Sequence, residues 1–292
     1  MILVTGAAGK TGRAVIQALR ASGTSVRAFV RRAENIPVLK SLGADDVWVG
    51  DLLSYQAVEQ SLQGVRAVYH ICPNISPYEY RIGKTVISAA RASGVEHFVF
   101  HSVLHPQTES MPHHWQKLRV EEYLFESDLP FTILQPTAYL QNLLAHWDSI
   151  TDQGIYPVPY SRDSHLCLVD VDDVAEIAAK VLTEPGHCGA TYELVGTQVF
   201  SQTEIVQILA DELGRVVDMK AIDLEIWEAA ARRAGMAEYQ ITTLKQMFTY
   251  YDRYGLRGNQ NVLAWLLGRP ATTLAEFIQK QIVIKGHWES PW

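Results

Sequence analysis

Six short apolar runs punctuate the first half of the chain: ILVTG (2–6), SVRAFVR (25–31), DDVWVGD (45–51), RAVYHIC (66–72), EHFVFHS (96–102) and FTILQP (131–136). The segments between them repeat apolar residues at helical spacing. Ala14, Val15, Ala18 and Leu19 share one face, as do Val86, Ile87 and Ala90. Mostly apolar strands alternating with helices predict a parallel sheet covered on both faces. The rhythm breaks over about 138–165, a stretch rich in aromatics and amides, and returns with LCLVDVDDVAEIAAKVL (166–182) and the strand TYELVG (191–196). SQTEIVQILADELG (201–214) opens with Ser201 and carries Glu204 three residues on, the pattern of a capping box, and it closes at Gly214 as the C′ residue. From about 222 to 285 the pattern is mainly helical, with Trp227, Phe248, Tyr251 and Trp265. The expected chain is an α/β core over 1–160, rejoined by 166–197, with a smaller, mostly helical lobe over 198–292. The default ligand site for such an architecture is the cleft between core and lobe.

Composition narrows the partners. The 292 residues are 48% hydrophobic and carry a formal net charge of -7, which offers no basic face for a nucleic acid. No apolar run approaches the ~18 residues of a membrane span. The three cysteines, Cys72, Cys167 and Cys188, are odd in number, far apart and without zinc-ligand spacing. They read as free thiols in a reducing compartment, with no metal expected. The first strand begins at about Met1, which leaves no room for a targeting peptide, so the expectation is a cytoplasmic protein.

Candidate chemistry begins in VTGAAGKTG, where Gly6, Gly9 and Gly12 recur at intervals of three between the first strand and the first helix. Such a turn aims backbone N–H groups and the positive end of a helix dipole at one point, which suits a pyrophosphate. Glycines permit the tight turn and the close approach of the ligand. In a βαβ context this predicts a dinucleotide held by Gly6, Ala8, Gly9, Lys10, Thr11 and Gly12, in a doubly wound parallel-sheet Rossmann fold. The second strand ends in Arg31 and Arg32 where an NAD site usually carries an acid. An arginine fork suits a 2′-phosphate, so NADP(H) is preferred, with NAD(H) as the alternative. Asp51 and Leu52, after the third strand, are expected beside the adenine, although Asp51 reads equally as a helix N-cap. Cys72 and Pro73 are expected to wall the ribose and nicotinamide side, Ser102 to neighbour the cofactor, and backbone past Pro136 to meet the carboxamide. Tyr139 and Asn142 are the candidate substrate contacts.

Together VTGAAGKTG, the VGDL after the third strand, FTILQPTAYLQN, LVDVDDVAEIAAKVL with TYELVG, and the late LLGRPATTLAEFI resemble the NmrA-like group of atypical short-chain dehydrogenases/reductases. The resemblance spans nearly the whole chain and implies a nucleotide-binding fold. It also implies either an NADPH-dependent reductase of quinones and dyes, or a regulator that binds NADP(H) without chemistry. The wider superfamily uses a YxxxK pair, in which the tyrosine gives the proton and the lysine lowers its pKa and bonds the nicotinamide ribose. Here Lys117 fits the lysine, but His113 stands four residues before it. The catalytic candidates are therefore Lys117 and His113, with histidine as a general acid near neutral pH. The expected reaction is hydride transfer from NADPH to a planar apolar acceptor such as a quinone. The alternative is an NADP(H) sensor that signals through a protein partner. Homo-oligomerisation is left open. No GxSxG or HExxH signature points to a hydrolase or metalloenzyme.

Overall fold

The computed structural model describes residues 1–288. In chain order the elements are β1 (Ile2–Val4), α1 (Lys10–Ala21), β2 (Val26–Val30), α2 (Ile36–Ser41), β3 (Asp46–Val49), α3 (Tyr55–Ser61), β4 (Ala67–His70), α4 (Glu79–Ala92), β5 (His97–His101), α5 (Pro112–Phe125) and β6 (Phe131–Pro136). There follow β7 (Ala138–Tyr139), α6 (Trp147–Gln153), β8 (Ile155–Val158), β9 (His165–Val169), α7 (Val171–Thr183), β10 (Ala190–Leu194), β11 (Val199–Ser201), α8 (Gln202–Leu213), β12 (Asp218–Ala221), α9 (Leu224–Arg233), α10 (Glu238–Tyr254), α11 (Asn261–Leu267) and α12 (Leu274–Trp288).

The chain forms two compact units, one of 1–136 with 171–194 and the other of 137–170 with 195–292. The first is the doubly wound fold that the sequence pattern predicts. Its seven strands run in the order β10-β6-β5-β4-β1-β2-β3, every neighbouring pair parallel. Strand order reverses between β1 and β4, and in such sheets ligands bind outside the carboxyl ends at that switch point. One face of the sheet is sealed by α3, α4 and α5, where Leu3, Val68, Phe98 and Phe100 pack with Val86, Ile87, Val120 and Leu124. The buried strands explain the apolar runs, because a residue on either face of a doubly covered sheet is removed from water.

The second unit holds a three-stranded sheet, β11-β9-β7, and a parallel pair, β12-β8, with α6 and α8 through α12. Of the residues expected in the core, 137–160 and the flanks 166–170 and 195–197 of the returning segment belong here instead. Backbone pairing is the reason. β7 pairs with β9, β9 with β11, and the Thr137 hydroxyl donates to the Cys167 carbonyl at 2.9 Å. Several aromatics of this unit pack on one another. Trp227 meets Phe248 edge-on at 5.0 Å, and Phe248 meets Tyr160 at 5.7 Å.

The capping box forms as read. Ser201 Oγ accepts from the Glu204 N–H, the Glu204 carboxylate accepts from the Ser201 N–H at 2.7 Å, and Gly214 closes α8 in the left-handed region at φ 62. Ser201→Ala is expected to cost about 1 kcal/mol, read from urea unfolding midpoints.

Candidate functional site

The glycine loop spans β1 to α1 at the switch point, and its three glycines play different parts. Gly6 has φ +60, and a Cβ there would lie 2.9 Å from both the Ile71 Cβ and the Ile71 carbonyl oxygen. A Cβ on Gly12 would sit 2.4 Å from the Gly6 carbonyl oxygen and 2.7 Å from the Ala7 Cα, so the first turn of α1 lies directly on the loop. Gly9 is the N-cap of α1 and supplies no side-chain cap, which leaves the first N–H groups of the helix without one. Ala8 is half-buried, Thr11 and Gly12 are buried, and Lys10 is exposed at the helix start. The cradle therefore has the close-packed, side-chain-free backbone that a pyrophosphate needs.

Thr5 ties the two loops of the switch point together. Its Oγ1 donates to the Ile71 carbonyl at 3.0 Å, accepts from the Ile71 N–H at 2.9 Å and lies 2.8 Å from His70 Nδ1. The loop after β4 then carries buried Cys72, exposed Pro73 and buried Ile75, whose φ of 47 is a strained conformation for a β-branched residue.

At the ends of β2 and β3, Arg31 and Arg32 are exposed, and Arg32 pairs with Glu34 at 3.2 Å. Arg31 forms no ion pair among the described residues, so its guanidinium is available to an anion. Asp51 is exposed and accepts from the Leu53 N–H at 2.9 Å, while Leu52 is buried. Asp51 is not the cap of α3. That role falls to Ser54, whose side chain accepts from the Ala57 N–H.

The second cluster lies on β4, β5 and the heads of α4 and α5. Helix α5 starts at Pro112, so His113 and Lys117 both lie within it, four residues apart on one face. Lys117 Nζ is 2.8 Å from Glu79 Oε1, 3.4 Å from the His101 carbonyl oxygen and 5.5 Å from the Phe100 ring centroid. Burial is the largest single influence and acts against its charge, but Glu79, with Cys72 and Glu121 adding to it, holds the lysine pKa above its ordinary value.

One turn further along, the Glu121 carboxyl accepts from the Ser102 hydroxyl and, at 3.0 Å, from the Gln135 amide. Burial raises the Glu121 pKa against these hydrogen bonds and the Lys117 charge. Ser102 is thereby committed to Glu121, and Pro136 is buried, with its carbonyl accepting from the Leu104 N–H at 2.8 Å.

The imidazoles around Lys117 are neutral. Burial, seconded by His114 and then Lys117, pushes His113 down to about 3. Its Nδ1 is buried without a hydrogen-bond partner. Burial likewise pushes His70 and His101 to about 3 and His114 to about 4. So held, the His113 ring is neutral at pH 7. Burial also raises the Cys72 thiol well above its usual range, with Glu79 adding to the effect, so Cys72 stays a protonated thiol rather than a nucleophile.

Tyr139 and Asn142 belong to the second unit, Tyr139 half-buried in β7 and Asn142 exposed in the turn after it. Among the described residues, no three His, Cys, Asp or Glu side chains come together as metal ligands, and no helix is long and apolar enough to cross a membrane. Sequence reasoning passed over Glu79 and Glu121. Glu121 had a signal, since it follows Lys117 by four on the same helix. Glu79 had none.

The fold and the glycine cradle define a nucleotide-binding protein of the Rossmann type. Residues 1–280 match the NmrA-like family, and the chain belongs to it. It is 30% identical to an NAD(P)H azoreductase of Xenophilus azovorans, over 95% of this chain and 96% of that one. It is 28% identical to quinone oxidoreductase 2 of Escherichia coli (strain K12), over 95% and 97% respectively. The crystal structure of an NADPH-dependent quinone oxidoreductase from Escherichia coli, complexed with NADPH, superposes with a TM-score of 0.84 at 27% identity, covering 97% of this chain and 100% of that one.

Proposed function

We propose that this protein is an NADPH-dependent oxidoreductase that reduces a quinone-like, planar apolar acceptor. The observation that carries the reading is the cradle at the switch point, where a side chain on Gly6 or Gly12 would strike backbone. Its likeness along the full chain to NAD(P)H-dependent azo and quinone reductases supports the choice of reaction. Bound NADPH would supply the hydride.

The chain's own residues do the rest. The N–H groups from Ala8 to Gly12 and the α1 dipole hold the pyrophosphate, and Arg31, with Arg32, takes the 2′-phosphate. Asp51 and Leu52 border the adenine. Cys72, Pro73 and the backbone past Pro136 wall the nicotinamide side. Ser102 supports that wall through its bond to Glu121. Lys117 presents a permanent positive charge that bonds the nicotinamide ribose. It also stabilises the negative charge that develops on an acceptor oxygen.

Hydride plus one proton converts a quinone to a quinol. His113 is neutral at pH 7, so it offers only a ring N–H hydrogen bond, and the proton comes from solvent.

The test is the rate of acceptor-dependent NADPH oxidation with a substituted benzoquinone, run beside NADH, for the wild type and Arg31→Ser. The reading expects turnover with NADPH preferred. Arg31→Ser should weaken NADPH binding about 10- to 100-fold, the value of one or two charge-assisted hydrogen bonds, and leave NADH binding unchanged. Saturable NADPH binding with no consumption by any acceptor would favour the sensor instead.

A further inference from the structure

We propose that Glu79 is the positioning residue of Lys117, a buried carboxylate at the head of α4 that aims the ammonium and keeps it charged. This rests on the reading of Lys117 as the site's cation. Glu79 is 2% exposed and its carboxylate meets Lys117 Nζ at 2.8 Å. The His101 carbonyl accepts a second N–H of the ammonium, at 3.4 Å. The ammonium thus has two directions assigned and one left for a ligand.

The surroundings explain why a carboxylate is needed. Apart from Glu79, the ionisable groups around Lys117 are mostly neutral, with Glu121 adding a lesser attraction. His70 on β4, His101 on β5, and His113 and His114 on α5 are all held neutral. The Cys72 thiol is held protonated, and Glu121 is engaged by Ser102 and Gln135. Without Glu79, a lysine among uncharged rings and thiol would shed its proton to escape desolvation. The superfamily's tyrosine is absent here, so the lysine has no phenol to activate. Its value lies in its charge and direction, and both come from a residue 38 positions away in sequence. Glu79 sits at the first residue of α4, where the helix dipole also favours a carboxylate.

The experiment is competitive trace acylation of the intact protein across pH, with Lys117 reactivity read by peptide mass spectrometry. It needs no turnover, so its result is separable from that of the reductase assay. In the wild type Lys117 should titrate above an ordinary exposed lysine of the same chain. In Glu79→Gln, which preserves shape, its reactivity at pH 8 should rise at least about tenfold, as its pKa falls by a unit or more. The pH profile of NADPH affinity should gain an alkaline limb in that variant, and Glu79→Asp should restore the wild-type profile in part. Wild-type Lys117 titrating at or below an exposed lysine would overturn the proposal even if the variants fail to fold. So would an unchanged Lys117 reactivity in folded Glu79→Gln.

Discussion

Below about pH 6 the first unit is expected to lose stability steeply, long before its carboxylates protonate. His70 and His114 are fully buried and His101 nearly so, with folded pKa values of about 3, 4 and 3. An unfolded histidine titrates near ~6.5. The folded pKa of each is depressed, so below ~6.5 the unfolded chain binds protons that the native state refuses. Their contribution is complete above ~6.5 and is lost as pH falls toward the folded values. Each costs about 1.4 kcal/mol per pH unit across that window, and three together about 4 kcal/mol per unit. Against a total of roughly 5–15 kcal/mol, this removes about 6 kcal/mol by pH 5, enough to unfold a protein at the low end of that range. Urea titrations at pH 7, 6 and 5 check it. Stability that is flat over that range would mean that these rings accept protons in the folded state.

Gly12→Ala is expected to abolish useful NADPH binding. The new Cβ would lie 2.4 Å from the Gly6 carbonyl oxygen and 2.7 Å from the Ala7 Cα. Both are backbone atoms of the loop itself, so no rotamer change relieves the clash, and the loop must lift from α1. Overpacking of this kind costs about 1–3 kcal/mol of stability. A displacement of about 1 Å in positioning groups costs about a hundredfold in function, and a comparable loss of NADPH affinity is expected. Gly9→Ala is the internal control. Its Cβ would meet only the Gly6 carbonyl oxygen at 3.2 Å, and its backbone φ of -76 suits any residue, so the loss should be several-fold. Nicotinamide fluorescence titration of the two variants gives the comparison. Equal losses would mean that charge, and not backbone approach, sets the affinity.

The parts of the molecule legible in the sequence are those that a local pattern determines. Strands β1 to β6 stand out because a sheet covered on both faces demands uninterrupted apolar runs. The loop at Gly6, Gly9 and Gly12 and the box at Ser201 and Glu204 are visible for the same reason, since each is a contact between residues two to six apart. What was hidden depends on distant partners. The pairing of β7 with β9, which draws 137–170 out of the core, joins segments 30 residues apart. Glu79 reached Lys117 from another helix, and nothing in the order of residues announced it. The neutrality of His113 is a property of burial, which no spacing reports. Asp51 and Ser54 compete for one cap within four residues, and the backbone chose Ser54.

The most direct test of the central claim is a single-turnover experiment, mixing excess protein saturated with NADPH against a naphthoquinone and following the nicotinamide absorbance band. The account predicts loss of one NADPH per quinone reduced to quinol, slowed when the nicotinamide C4 hydrogen is replaced by deuterium. NADPH that stays bound and unoxidised in the presence of such acceptors would contradict it.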